Sequence, residues 1–240
     1  MLLNEKPNKK EQHRLNEAGE ILGVLLKVVL IIGLTFISFG PNYSFVLLDL
    51  LYGNVWSRTA APAVLSWYCV YILFIALNGI TEAFMNSVIN RTQLLRYNWW
   101  MVIFSIVYLS AAAFFLQFGP IGIVLANCIN MASRITYSFT FIRAYFTQPT
   151  SEKYQSSPYQ TLLQIATPSV LVWFAYAISF CITWASTVLL EIESKNSIPR
   201  YFIHIAIGAV CLMLTFVVIW FKERRFLSVA VNIWRRKKKS

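Results

Sequence analysis

Six long apolar runs, each bounded by charged or turn-forming residues, constrain this chain more than any other feature of its sequence. They occupy residues 18–39, 62–84, 99–117, 121–146, 162–190 and 201–221. A helix needs about 20 residues to cross the ~30 Å hydrocarbon core of a bilayer, and each run is close to or above that length. Lipid offers no partner to an unpaired backbone amide, so such runs fold as helices. The sequence therefore predicts an all-α, polytopic membrane protein with six transmembrane helices.

Lys and Arg residues are distributed unevenly between the connections. If the N-terminus is cytosolic, sixteen of the 21 cations lie on the cytosolic side and three on the other, with Lys27 and Arg134 inside runs. This asymmetry satisfies the positive-inside rule with both termini cytosolic. Eight of the cations follow the last run, where they favour contact with anionic membrane lipids. The net charge of +11 therefore does not indicate a nucleic-acid partner.

The runs divide the chain into five parts. We predict a cytosolic segment at 1–17, a four-helix part at 18–146, a cytosolic linker at 147–161, a terminal helix pair at 162–221 and a basic amphipathic tail at 222–240. The half-apolar connection 40–61 is expected to lie against the membrane. Its glycosylation sequon at Asn42 lies in the same stretch and is expected to be unused. All four cysteines fall inside apolar runs, so we predict small core residues there, with no disulfide framework, metal site or cofactor.

Polar residues interrupt the fourth run in a regular pattern. Asn127, Asn130 and Arg134 are spaced three and four apart, so they share one face of a helix. Arg134 is predicted near the bilayer centre, where an ionisable side chain is costly. Either the asparagines pack helices together by hydrogen bonds, or the face lines a water-filled cavity in which Arg134 binds an anionic ligand.

The second run carries a similar face, with Asn78, Glu82 and Asn86 each four residues apart. Lys27 of the first run lies at a depth compatible with Glu82, which predicts an ion pair between them. Such a pair could serve the structure or the function, and Lys27 could also extend its ammonium group to the interface. His204, one turn inside the last run, is interpreted as a hydrogen-bonding residue near the interface. Together these faces predict a hydrophilic cavity within a helix bundle, as in transporters.

Little in the chain indicates catalysis. We find no Ser-His-Asp grouping, phosphate-binding loop or metal-ligand spacing. A membrane glycosyltransferase usually places acidic residues in a lumenal loop, where this chain offers only Asp49, Glu191 and Glu193. We therefore expect no enzymatic activity.

Several stretches resemble the Rft family, and they occur in the family's order from about residue 17 to 221. They are FGPNYS at 39–44, LDLLYG at 48–53, LNGITEAF at 77–84, RYN at 96–98, LANCINMASRI at 125–135 and HIAIGA at 204–209. The resemblance implies an endoplasmic-reticulum protein that moves, or helps to move, a dolichol-diphosphate-linked oligosaccharide across the membrane for N-glycosylation. In that context Arg134 and Lys27 would contact the diphosphate, Glu82 would lie in the same cavity, and Asn78, Asn127 and Asn130 would bind sugars.

The resemblance also implies the two-lobed, fourteen-helix fold of the multidrug/oligosaccharidyl-lipid/polysaccharide exporters. Six spans correspond only to the C-terminal portion of that fold. The chain is therefore expected to be part of a longer protein, a short isoform, or a half that needs a partner chain for the missing lobe. Two other functions stay open, namely a small-molecule antiporter of the same fold and a non-transporting assembly or scaffold subunit. The excess of Lys27 and Arg134 over Glu82 argues against the antiporter.

Overall fold

The computed structural model describes residues 9–147, 158–194 and 197–224, and every regular element within them is helical. The α-helices are α1 (Lys9–Tyr52), α2 (Asn54–Ser57), α3 (Ala61–Val88), α4 (Arg91–Phe115), α5 (Pro120–Phe146), α6 (Pro158–Ala166), α7 (Val170–Leu189) and α8 (Ile198–Lys222). A short 3₁₀ turn, Leu116–Phe118, follows α4. The predicted all-α class is confirmed. Residues 1–8, most of the linker and the tail beyond Arg224 lie outside the described residues.

Five helical segments of the described residues are long and apolar enough to cross a membrane. They are His13–Tyr52, Ala61–Val88, Arg91–Phe118, Pro158–Leu189 and Ile198–Lys222. The chain is therefore a polytopic helical membrane protein. The predicted run 121–146 forms α5, a helix of 27 residues, but its polar face lowers its mean hydropathy. Six spans therefore stay a prediction.

Helix α1 is longer than its apolar run at both ends. It includes residues 9–17 of the predicted cytosolic segment, and it continues through Pro41 to Tyr52. Membrane helices tolerate proline where neighbouring groups satisfy the freed backbone. A side chain at Gly40 would overlap the Cys69 Sγ atom, so α1 and α3 approach closely at this point. The connection predicted at 40–61 is thus mostly helix.

The fifth predicted run is broken in two. Helix α6 ends at Ala166 and α7 begins at Val170, with Pro168 between them. Proline lacks the amide hydrogen that a continuous helix would use, and it also restricts the residue before it. The break leaves the first amides of α7 without intrahelical partners. It lies on the side of the bundle where α1 begins and α8 ends, here named the N-terminal side.

Helix α1 joins the two halves of the bundle. It packs against α3, α6 and α7, while α5 lies between α3 and α4, and α8 lies against α7. Near the N-terminal side, a buried cluster joins α1, α5 and α6 through Leu22, Leu26, Ile142, Phe146 and Leu162. A second cluster joins α1, α7 and α8 through Leu34, Val172, Tyr176 and Ile219. Close packing is what holds such helices together, because lipid tails are as apolar as the side chains themselves.

Candidate functional site

The Glu82 carboxylate is the centre of a polar cluster between α3, α4 and α5. Arg134 Nη2 donates to both carboxylate oxygens, at 2.7 and 2.6 Å. Tyr97 donates its hydroxyl to Oε1 at 2.6 Å. Asn78, one turn earlier on α3, donates to Oε2 at 2.9 Å. We name these four residues the Glu82 cluster.

Local sequence explains how the three helices bring this cluster together. A capping box starts α4 directly after α3: the Asn90 side chain accepts from the Gln93 amide at 2.9 Å, and Gln93 accepts from the Asn90 amide at 3.2 Å. Tyr97 lies six residues after the start of α4 at Arg91, which brings it to the level of Glu82. Glu82 and Tyr97 are each about 9 Å from the N-terminal-side end of their helices, at 1.5 Å per residue. Arg134 itself lies twelve residues, about 18 Å, before the end of α5 and extends toward that level. Its predicted position near the bilayer centre stays a prediction.

Part of the Arg134 guanidinium has no partner. Only Nη2 bonds to Glu82, and Nε is buried without a hydrogen bond. Asn78 Oδ1 and Ser138 Oγ are likewise buried and unsatisfied. Since a buried donor without an acceptor is costly, the cluster has unused capacity for a polar ligand or water.

The cluster is not sealed from its surroundings. The side chains of Arg134 and Glu82 keep 20% and 17% of their accessible surface. A guanidinium held by one nitrogen can still present its other N–H groups to an anionic oxygen, and such charge-assisted bonds are the strong ones. The Arg134 charge is nevertheless already balanced by Glu82, so the fold does not require an external anion.

The predicted ion pair between Lys27 and Glu82 is wrong. Lys27 Nζ instead bonds to Glu223 Oε2 at 2.6 Å, and both side chains are almost fully buried, at 5% and 6% exposure. Comparing depths along the runs misled the prediction for two reasons. Arg134 reaches Glu82 from α5. Lys27 is instead paired with Glu223, which directly follows α8 in the segment predicted to be a basic amphipathic tail.

Glu223 also caps α7 from another helix. Its Oε1 accepts from the Ser169 backbone amide at 2.7 Å, at the position where the Pro168 break leaves α7 uncapped. The Ser169 side chain forms no cap of its own, and its hydroxyl is buried without a partner. A carboxylate at a helix N-terminus also interacts favourably with the helix dipole. Lys27, Glu223 and the start of α7 therefore form one buried unit, which we name the Lys27 latch.

The structure joins half of the predicted site. Of the six candidates, Asn78, Glu82 and Arg134 lie together, whereas Lys27 belongs to the latch. Asn127 donates to the Ile123 carbonyl of its own helix at 3.0 Å. Asn130 makes no hydrogen bond to a described residue. Their predicted contacts with a ligand stay predictions.

Sequence reasoning missed Tyr97 and Glu223 as members of these polar groups. The RYN stretch at 96–98 marked Tyr97 only through the family resemblance. Glu223 is the single acidic residue among the cations that follow α8. The available signal for Glu223 was a lone carboxylate at the end of one span, at a depth that a lysine inside another span, Lys27, could reach.

A third polar group lies toward the side of the bundle opposite the N-terminal side. His204 is fully buried, and its Nδ1 and Nε2 lie 2.9 Å from Ser186 Oγ and 3.1 Å from the Asn42 carbonyl oxygen. Its ring stacks on Tyr43, with centroids 4.3 Å apart. Asn42 donates its amide to Thr183 Oγ1 at 2.8 Å. This arrangement fits the interpretation of His204 as a hydrogen-bonding residue.

The fold and these buried polar groups define a class, a polytopic helical membrane protein with charges paired inside the bundle. The Rft protein family model matches residues 1–233. The chain therefore belongs to the Rft family, as the resemblance implied.

Three relatives each carry the name "Man(5)GlcNAc(2)-PP-dolichol translocation protein RFT1". The Xenopus tropicalis protein is 35% identical over 211 residues, which cover 88% of this chain and 37% of the relative. The Mus musculus protein is 35% identical over 82% of this chain and 35% of the relative. The Dictyostelium discoideum protein is 32% identical over 85% and 32%. The chain thus spans about a third of the length of the relatives it matches. No solved structure gives a significant match.

Proposed function

We propose that this chain belongs to a machinery that translocates a dolichol-diphosphate-linked oligosaccharide, or assists its translocation, across the endoplasmic reticulum membrane for N-glycosylation. The observation that carries the proposal is the Rft match over residues 1–233, with relatives named for Man(5)GlcNAc(2)-PP-dolichol translocation. Because the chain spans about a third of those relatives, the activity would belong to a longer polypeptide or to an assembly with a partner chain. Both termini would face the cytosol, and the role would involve no catalytic step.

The Glu82 cluster is the part of this chain suited to the charged head of such a lipid. Nη1 and Nε of Arg134 could donate to diphosphate oxygens while Nη2 stays on Glu82. Each charge-assisted hydrogen bond of this kind contributes about 1.5–3 kcal/mol. Glu82 and Tyr97 would act as positioning residues, because they hold the guanidinium plane without using its free edge.

The structure weakens the charge argument against an antiporter. Lys27 and Arg134 each have a buried carboxylate partner, so cations no longer exceed anions inside the bundle. A carboxylate that shares a cluster with Arg134 could serve an ion-coupled transporter. The third candidate is a non-transporting assembly or scaffold subunit, for which the Arg134 charge would matter only through packing. All three readings predict different behaviour of Arg134 variants.

The test is Arg134→Gln in the longer polypeptide that carries this segment, expressed in cells depleted of their own Rft protein. We expect underglycosylated reporter glycoproteins and accumulation of the lipid-linked intermediate at normal protein level. Arg143→Gln, an exposed arginine nine residues along the same helix, is the matched control and should glycosylate normally. Normal glycosylation by Arg134→Gln would contradict the ligand role and favour a scaffold. If an imposed ion gradient restored glycosylation by Arg134→Gln, the antiporter would be favoured.

A further inference from the structure

A cavity of about 520 Å³ opens between α1, α7 and the turn that follows α7, away from the N-terminal side of the bundle. It is separate from the Glu82 cluster, since α1 lies between them. Its polar and aromatic lining residues are Asn42, Trp184, Thr187, Glu191, Glu193 and Ser194.

One acceptor at this cavity is fixed in place by the core. Asn42 is 7% exposed, and its amide nitrogen is committed to Thr183 Oγ1 at 2.8 Å and the Phe180 carbonyl at 3.4 Å. A carbonyl can only accept, so these bonds assign the nitrogen and leave Oδ1 on the other side of the amide. Oδ1 accepts no hydrogen bond from the described residues. A buried side chain therefore offers an unused acceptor beside the cavity.

The turn at residues 190–194 is built rigidly around the cavity. Glu191 adopts a left-handed conformation, with φ of 50°, which is unfavourable for a residue with a side chain. The turn is held by the Ile192 amide on the Thr187 carbonyl at 3.2 Å and by the Ser194 amide on the Glu191 carbonyl at 3.2 Å. Ile192 is fully buried and anchors it. Backbone strain retained by such surroundings is typical of functional sites.

The chemistry of the lining selects one class of ligand. Glu191 is paired with Arg200, whose Nη1 lies 3.5 Å from Glu191 Oε2. Glu193 and Asn42 Oδ1 are the acceptors that favour a ligand rich in hydroxyl donors. Trp184 is 57% exposed, and an indole face can stack on the apolar C–H face of a pyranose ring. An apolar platform with a few placed polar groups is typical of small-molecule sites.

We propose that this cavity binds a neutral pyranose unit of a glycan. The hydroxyls of the sugar would donate to Glu193 and Asn42 Oδ1 while its ring lies against Trp184. The source of the sugar, the head of the lipid-linked oligosaccharide, rests on the proposed function. The binding chemistry does not, and the two can fail separately.

The test is saturation-transfer NMR with the 240-residue chain in lipid nanodiscs and α-mannobiose as the probe. We expect transfer to the disaccharide, and a loss of at least fivefold in both Trp184→Leu and Glu193→Gln. Both side chains are exposed, so the variants should keep their helical circular dichroism. Trp173→Leu, on the same helix and also exposed, and Glu20→Gln, on the N-terminal side, are matched controls that should keep the signal.

Three results would overturn the proposal. They are no transfer in the unaltered chain, transfer in both cavity variants equal to that in the unaltered chain, and displacement of the sugar by tetramethylammonium, which would identify a cation site. Loss of this site together with defective glycosylation by Arg134→Gln would leave the proposed function standing. Sugar binding together with normal glycosylation by Arg134→Gln would support this site and contradict the proposed ligand role.

Discussion

The two ion pairs inside the described part of this bundle are built from similar charges and differ in almost everything else. In the Lys27 latch both side chains are nearly sealed, at 5% and 6% exposure, and each Glu223 oxygen has a donor. In the Glu82 cluster the side chains are three times as exposed, and Arg134 Nε and Asn78 Oδ1 are unsatisfied. A sealed pair with its carboxylate fully bonded is suited to fixing helices. An open pair with spare donors is suited to meeting a ligand.

Position reinforces this difference. The latch ties the end of α8 and the start of α7 to α1, at the Pro168 break where α7 lacks a cap of its own. The Glu82 cluster joins α3, α4 and α5 on the other face of α1. We therefore expect changes to the latch to act mainly on stability and changes to the cluster to act mainly on activity.

The largest expected effect is on the free energy of unfolding when the latch loses one charge. Lys27→Met should cost about 3–5 kcal/mol, because it leaves Glu223 buried without its counter-charge. Removing both charges, with Lys27→Met and Glu223→Gln together, should recover most of that loss. Denaturant titration of the protein in detergent micelles measures both. A loss below about 1 kcal/mol for the single variant would show that the latch is not a stabilising unit.

Arg134→Gln should cost less stability than Lys27→Met and more activity. We expect the free energy of unfolding to fall by about 1–2 kcal/mol, because Glu82 keeps Tyr97 and Asn78 as donors and is partly exposed. The same titration measures the cost, and the glycosylation assay measures the activity. If both variants show the same ratio of lost stability to lost activity, the division between latch and cluster is wrong.

Tyr97→Phe removes one hydrogen bond from Glu82 and should destabilise the protein by about 1 kcal/mol. Tyr108→Phe on the same helix is the matched control, because the Tyr108 hydroxyl makes no hydrogen bond to the described residues. The comparison of their unfolding midpoints checks the prediction. Equal midpoints would mean that the 2.6 Å contact between Tyr97 and Glu82 adds nothing to stability.

The smallest effect is expected at Asn127. Its amide bonds to its own helix, so Asn127→Ala should change the free energy of unfolding by less than about 0.5 kcal/mol. Asn78→Ala, which takes a buried donor from Glu82, should cost about 0.5–1.5 kcal/mol. Paired titrations compare the two. A larger loss at Asn127 would reveal a contact across helices.

The sequence predicted the helical class and part of the site because both depend on local spacing. Apolar runs marked the helices, and the four-residue interval between Asn78 and Glu82 placed them on one face. Partners across helices were harder. Glu82 was assigned to Lys27, since depth along a run says nothing of which helices are neighbours.

Helix ends were also beyond local patterns. The first apolar run was predicted to end at residue 39, yet α1 continues through Pro41 to Tyr52, with Gly40 packed closely on Cys69. Glu223 was placed in the basic amphipathic tail after the last run, although its carboxylate caps the start of α7. Both outcomes depend on tertiary neighbours that a single sequence does not display.

The burial of Asn42 sets an order of events during biosynthesis. Asn42, Tyr43 and Ser44 form a sequon, but in the folded chain the Asn42 nitrogen is already bonded to Thr183 of a helix made about 140 residues later. Only a nascent chain whose α7 has not yet docked exposes that nitrogen. A sugar chain attached there would prevent α7 from packing on α1. If this end of α1 faces the lumen, as we propose, a glycosylated form would mark molecules in which α7 docked too late.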